Sequence, residues 1–342
     1  MALLEVEGLS VDYEVAEGVL RAVDGVSFDV EAGEAVGLVG ESGCGKTTTV
    51  RALLRILPGN ARVVAGQARL AGRDLLALGE EALRRIRWKE LAIVFQSAMN
   101  ALDPVYRIED QIIEAIRLHE PVSRAEAGRR AGELFDLVGI ERKRLRDFPH
   151  QLSGGMRQRA CIAMALALEP ALIVADEPTT ALDVIVKDQI LEHIARLQRE
   201  RGIAIVYVSH DISVIAETCA RVAVMYGGRL IERGPVTRVF SEPGHPYTMG
   251  LLSAFPRLGG SERLVSIPGY PPNLLERIPG CGFAPRCPFR ETRCALERPP
   301  AVELAPGHAA ACHFVERAAD FRARARLPAT WQPDEVPAGA ES

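Results

Sequence analysis

The stretch Ala35-Val36-Gly37-Leu38-Val39-Gly40-Glu41-Ser42-Gly43-Cys44-Gly45-Lys46-Thr47-Thr48 runs from an apolar strand through a glycine-rich turn into a helix. Glycines at positions 40, 43 and 45 let successive backbone N–H groups face an anion, and a helix opening at Lys46 turns its positive end to the same point. Lys46 is spaced to reach β- and γ-phosphates, and the Thr47 hydroxyl to hold Mg2+. Strand, loop, lysine and hydroxyl agree. The stretch therefore reads as a nucleotide site, with contacts expected from Gly40, Ser42, Gly43, Cys44, Gly45, Lys46, Thr47 and Thr48.

More than a hundred residues later comes Leu152-Ser153-Gly154-Gly155-Met156-Arg157-Gln158-Arg159, followed by Leu172-Ile173-Val174-Ala175-Asp176-Glu177. The second run is apolar and ends in two acids, which suits a buried parallel strand delivering carboxylates to the C-terminal edge of a sheet. Asp176 would then lie beside the metal held by Thr47, and Glu177 would orient or deprotonate an attacking water. His210 follows the apolar run Ile203 to Val208 and falls at another strand end facing the same crevice. A neutral imidazole there can donate to a γ-phosphate. Ser153-Gly154-Gly155 precedes a helical run from Met156 to Leu168, making a second anion-binding helix start.

Taken together, these motifs resemble the ATP-binding subunits of ATP-binding-cassette transporters, a likeness that covers residues 3 to about 255. The resemblance implies an α/β P-loop NTPase cassette with a mixed central sheet and an inserted helical subdomain. It further implies that Tyr13 stacks on adenine and that Gln96 contacts Mg2+ and water. Ser153, Gly154 and Gly155 would grip ATP held by a second ATP-binding subunit, Asp183 would couple the two sites, and His210 would sense the γ-phosphate. Glu177, His210 and Gln96 are thus the expected catalytic residues, and Thr47, Gln96 and Asp176 the expected Mg2+ contacts. One departure is Met156, where many members carry glutamine; the residues expected to touch phosphate are unchanged.

A chain of 342 residues accommodates one sizeable core and a small appended domain. A formal net charge of −4, with no basic block, argues against a nucleic-acid partner. The amino-terminal residues carry charge early, so no signal peptide is expected, and no apolar run reaches the 18 or so residues that span a bilayer. Membrane-spanning helices would come from other chains.

Strands are expected near residues 3–9, 26–30, 35–39, 64–70 and 91–95, with a helix over 46–56. From Val105 to about Gly139 the pattern turns helical, with Ser123 placed to cap a helix that carries Glu126 three residues on. This places a helical subdomain at about residues 100–160. By the family resemblance its groove meets the transmembrane partner.

Beyond the cassette the composition shifts toward proline and glycine. Cys281, Cys287, Cys294 and Cys312 follow a C-x5-C-x6-C-x17-C spacing, whereas Cys44, Cys161 and Cys219 stand apart as packing residues. Crowded cysteines without an export signal favour thiolate ligation over disulfides, and four thiolates hold either Zn2+ or an iron–sulfur cluster, the alternative being reduced cysteines that serve only packing. The first gap of five is wider than common zinc spacings. His308 and His313 are spare donors expected to bond locally. Glu242-Pro243-Gly244-His245-Pro246-Tyr247-Thr248 and the cysteine region resemble the ATPase subunits of dipeptide and oligopeptide importers, whose appended domain can bind a [4Fe–4S] cluster. This implies a cassette over 1–255, a cysteine-rich domain over 256–317 and a peripheral tail over 318–342. It also implies two permease subunits, an external solute-binding protein acting indirectly, and a place on the cytoplasmic face of the inner membrane. An exporter ATPase and a soluble cassette ATPase are the alternatives; the first lacks such a tail, and the second usually shows a coiled-coil insertion or tandem cassettes.

Overall fold

The computed structural model describes residues 2–95, 101–178, 184–254 and 266–332. Gln96, Asp183 and residues 333–342 lie outside them. In chain order the elements are β1 (Leu4–Val15), β2 (Gly18–Val30), β3 (Ala35–Val39), α1 (Lys46–Leu53), β4 (Ala61–Leu70), β5 (Arg73–Asp74), α2 (Glu80–Ile86) and β6 (Leu91–Val94). They continue with α3 (Ile108–His119), α4 (Arg124–Leu137), α5 (Gly154–Ala165), β7 (Leu172–Asp176), α6 (Val184–Arg201), β8 (Ala204–Ser209), α7 (Ile212–Thr218) and β9 (Arg221–Tyr226). The chain ends with β10 (Arg229–Pro235), α8 (Val236–Ser241), α9 (Pro246–Ser253), α10 (Thr292–Leu296), β11 (Val302–Ala305), β12 (His308–Ala310) and α11 (Ala318–Ala325).

Two sheets result. The smaller has the order β2-β1-β4-β5 and is antiparallel throughout. The larger has the order β11-β12-β10-β9-β3-β8-β7-β6, parallel from β9 to β6 and antiparallel from β10 to β11. It is a mixed sheet, as the motifs imply. Strands β3, β7 and β8 are buried along their whole length because both faces are covered, which explains their near-continuous apolar sequences. Alternate residues serve two cores: Val39, Ala175 and Tyr207 pack toward the helices, whereas Leu38, Val174 and Val206 pack toward the small sheet and α1.

Between β6 and α5, helices α3 and α4 pack on each other, and α4 packs on α5. The expected cap is present: the Glu126 N–H donates to Ser123 Oγ at 3.1 Å. Strands β11 and β12 do not stand apart from the cassette. β12 pairs with β10 at Glu232–Ala310 and Arg233–Ala309, so the cysteine-bearing region completes the large sheet.

The expectation of a peripheral tail from residue 318 is corrected. Ala318, Phe321, Ala325 and Trp331 are buried in the main core, where the Phe321 ring stacks on Phe289 at 4.3 Å. The Trp331 indole N–H donates to the Ala325 carbonyl at 2.8 Å. Helix α11 is only eight residues long and presents one large apolar side chain among alanines, too weak a pattern to announce burial.

Candidate nucleotide site and cysteine pocket

Register brings the site together. Val39 pairs with Ser209 and Val224, and Asp176 with Val208, so residues 40, 177 and 210 leave the sheet from the same edge. Ligands bind at that carboxyl edge in open parallel sheets. The loop after β3 is pinned by close backbone approach. At Gly40, with φ 152°, an added Cβ would meet the Met225 carbonyl at 2.2 Å, and at Gly45, with φ 103°, the Ala22 carbonyl at 2.4 Å.

Lys46 is buried, and its ammonium donates to the carbonyls of Gly40 at 2.7 Å and Glu41 at 2.9 Å. Burial pushes the Cys44 thiol up, leaving it a neutral packing group beside Lys46. The Thr47 hydroxyl donates to Asp176 Oδ1 at 3.1 Å across 129 positions of sequence. Asp176 is 1% exposed, and burial pushes its carboxyl up, partly opposed by the Thr47 hydrogen bond. A desolvated carboxylate next to a hydroxyl at a phosphate loop is a fitting donor set for Mg2+.

Glu177 sits in the left-handed region at φ 47°, a conformation that costs a non-glycine residue on the order of 1 kcal/mol. Its N–H is satisfied by the Val208 carbonyl at 2.8 Å, and its Oε1 lies 2.9 Å from His210 Nδ1. With Glu177 ionised, Nδ1 carries the proton. A neutral His210 then keeps Nε2 as an acceptor, and the ring donates to a phosphate only when protonated or released from Glu177.

Tyr13 is half-buried, with its hydroxyl 3.3 Å from Thr48 Oγ1 at the start of α1. Ser153 caps α5, accepting from the Met156 N–H at 3.3 Å, and Ser153 and Gly154 are exposed. The sequence reading overlooked Gln158, which is 2% exposed and donates to the Pro178 carbonyl at 2.7 Å. It ties the helix behind Ser153 to the loop that carries Asp176 and Glu177.

The four carboxy-terminal cysteines line one small cavity with His245 and Phe283. Burial pushes the thiols of Cys281 and Cys287 up, and that of Cys312 up to about 11, with neighbouring thiols adding to it. His245 is fully enclosed, which lowers it to about 3, and its Nε2 lies 3.9 Å from Cys281 Sγ. Among the described residues no three His, Cys, Asp or Glu side chains converge tightly enough to hold a metal ion. Four thiols lining one cavity are the donor type that a thiolate-ligated group takes. His308 and His313 are occupied elsewhere, by Glu232 Oε1 at 2.8 Å and the Glu297 carbonyl at 2.9 Å. Among the described residues no helix is long and apolar enough to cross a membrane.

Comparison with known proteins bears on both ends of the molecule. The family described as ABC transporter matches residues 23–180, and the oligopeptide/dipeptide transporter C-terminal region matches residues 231–294. The chain is 48% identical over 315 residues, 91% of its own length and 94% of the other's, to a probable peptide ABC transporter ATP-binding protein, y4tR, of Sinorhizobium fredii. It is 44% identical over 314 residues, 91% and 93% of the two lengths, to the oligopeptide transport ATP-binding protein OppD of Escherichia coli. A solved dimeric ATP-binding cassette, in a post-hydrolysis state bound to ADP and Pi, matches with TM-score 0.63 and 27% identity, covering 68% of this chain and 98% of that one. The phosphate loop, the paired acids beside it and a likeness covering 91% of the chain lead to one conclusion: this chain belongs to the ATP-binding subunits of ABC transporters, in the branch with the oligopeptide/dipeptide C-terminal region, and is an ATPase.

Proposed function

We propose that this chain hydrolyses ATP to power import of dipeptides, oligopeptides or related small solutes through separate transmembrane subunits. The observation that carries the reading is the convergence of Lys46, Thr47, Asp176, Glu177 and His210 on one sheet edge. The names of the relatives supply the class of cargo, and a Brucella abortus relative named as a putative peptide import ATP-binding protein supports the direction. Gly40, Ser42, Gly43, Cys44, Gly45, Lys46, Thr47 and Thr48 hold the phosphates, with Tyr13 against the base. Glu177 takes the proton of the attacking water, and His210, once freed from Glu177, contacts the γ-phosphate. Thr47 and Asp176, with Gln96, would hold Mg2+, whose charge offsets that of the phosphates. The exposed Ser153 and Gly154, with the half-buried Gly155, serve ATP on a second cassette, and Asp183 couples the two sites.

The working units are a cassette over 1–255, with its helical subdomain over about 100–160 meeting two permease subunits at the cytoplasmic face of the inner membrane, and a cysteine-rich region over 256–317. Cys281, Cys287, Cys294 and Cys312 hold a [4Fe–4S] cluster, with Zn2+ the rival occupant. Such a group would cross-link the turns that carry the four cysteines.

The test is co-expression with the two membrane subunits: co-purification and ATP turnover that responds to them support the reading, and turnover indifferent to them refutes coupling. Anaerobic purification should yield about four iron and four sulfide per chain, lost in Cys287→Ser. About one zinc and no iron would replace the cluster with a single-ion site and leave the ATPase standing.

A further inference from the structure

Arg286, one residue before Cys287, does not serve the cysteine pocket. Its guanidinium reaches across the fold to the phosphate loop: Nη1 donates to Glu41 Oε2 at 2.7 Å and to the Tyr226 hydroxyl at 3.1 Å. Nε donates to the Pro268 carbonyl at 2.8 Å, and Nη2 to the Ile267 carbonyl at 3.2 Å. The Arg286 side chain is 7% and that of Glu41 26% exposed, so the ion pair is sheltered chiefly on the arginine side, and it spans 245 positions of sequence. Burial works against the charge of Arg286, and Glu41 and Tyr226 together outweigh it. Glu41 is gripped a second time by Tyr247, whose hydroxyl accepts the Glu41 N–H at 2.8 Å. Tyr226, Tyr247 and Phe283 pack as one aromatic cluster behind these bonds.

Glu41 is the acid of the phosphate loop, with no other among residues 40–48. Its carbonyl accepts from the Lys46 ammonium, which places Glu41 in the loop directly beside the lysine expected to meet the phosphates. A loop built to attract a polyanion should not carry an uncompensated negative charge, and the compensation comes from neither the loop nor its helix.

We propose that Arg286 is a positioning residue of the nucleotide site, a counter-cation that neutralises Glu41 and holds it away from ATP, so that the cysteine-rich region contributes directly to nucleotide affinity. This rests on the reading of residues 40–48 as the ATP loop. A sheltered charge pair at such a place differs from a surface ion pair because removing one partner leaves the other unpaired in a poorly solvated setting.

The experiment is titration of the purified full chain with MgADP and with a slowly hydrolysed ATP analogue, together with steady-state ATPase kinetics. Arg286→Met should weaken nucleotide binding about tenfold and raise KM while kcat stays within about twofold. Glu41→Gln alone should bind within about twofold of the parent, and in the Arg286→Met background it should restore affinity, because the repelling charge is gone. Arg286→Lys should retain most affinity. If Glu41→Gln fails to rescue Arg286→Met, or Arg286→Met binds as the parent does, the proposal is overturned. Should Arg286→Met not fold, Arg286→Gln, whose amide can take the place of Nε in donating to the Pro268 carbonyl, carries the same test. Lys46→Ala checks the underlying reading separately: unchanged binding there would sink the loop assignment itself, whatever Arg286 does.

Discussion

The phosphate loop and the cysteine pocket are built in opposite ways. The loop is consecutive in sequence, polar, and defined by backbone: glycines that nothing else can replace, a helix start, and a lysine bonded to loop carbonyls. The pocket is assembled from separated turns, walled by Phe283 and His245, and burial there pushes the thiols of Cys281 and Cys287 up. The loop is preorganised by a local conformation that the sequence dictates, whereas the pocket exists only because β12 docks on β10 and α11 docks on α9. A local site tolerates distant change; a site made by docking shares the stability of everything docked. The two are nevertheless joined at Glu41, where Arg286 and Tyr247 reach in from the carboxy-terminal side.

The comparison can be broken first at the chemical end. Glu177→Gln should lower ATP turnover about a thousandfold, close to 4 kcal/mol in the barrier, because it removes a proton acceptor while keeping shape and hydrogen bonding. Nucleotide binding and iron content should be unaltered; turnover within tenfold of the parent would remove Glu177 from the proposed role. At the other end, Phe321→Ala empties the stack against Phe289 and should cost about 3 kcal/mol of stability in denaturant unfolding. The chain that remains folded should bind ATP within about threefold of the parent. A tenfold weakening would mean that the two ends form one cooperative unit rather than two sites joined at a single point.

The smallest effect is the sharpest test of the junction. Tyr247→Phe keeps the aromatic packing and deletes one acceptor, leaving the Glu41 N–H without its bond. We expect about 1 kcal/mol, or roughly fivefold in ATP affinity, with no change in iron content. An unaltered affinity, measured by the same titration, would show that the loop holds its shape without help from the carboxy-terminal region.

Much of the nucleotide site was legible because its signals are local. Lys46 and Thr47 belong to a strand–turn–helix pattern, and Asp176 and Glu177 end an apolar run, so periodicity and residue type place them without knowledge of distant contacts. His210 at a strand end was legible for the same reason, although its bond to Glu177, which sets the tautomer, was not. Arg286 was not legible as part of the site, since nothing near it in the chain names Glu41 as its partner. Gln158 was hidden likewise, its carbonyl partner lying at Pro178. The burial of Phe321 and Trp331 depends on surfaces supplied by Phe289 and α9, which a short alanine-rich helix does not advertise.

What the amino-acid order determined by itself is the nucleotide chemistry: which strands are buried, where the phosphate loop lies and which acids end beside it, because hydrophobic period and backbone freedom are properties of neighbouring residues. What the tertiary structure alone decided is that the cysteine-rich region completes the cassette's sheet, that residues 318–331 belong to the core, and that the loop's acid is paired from across the molecule. Those are consequences of docking, in which charge pairing and apolar burial act through space between segments that share no local pattern.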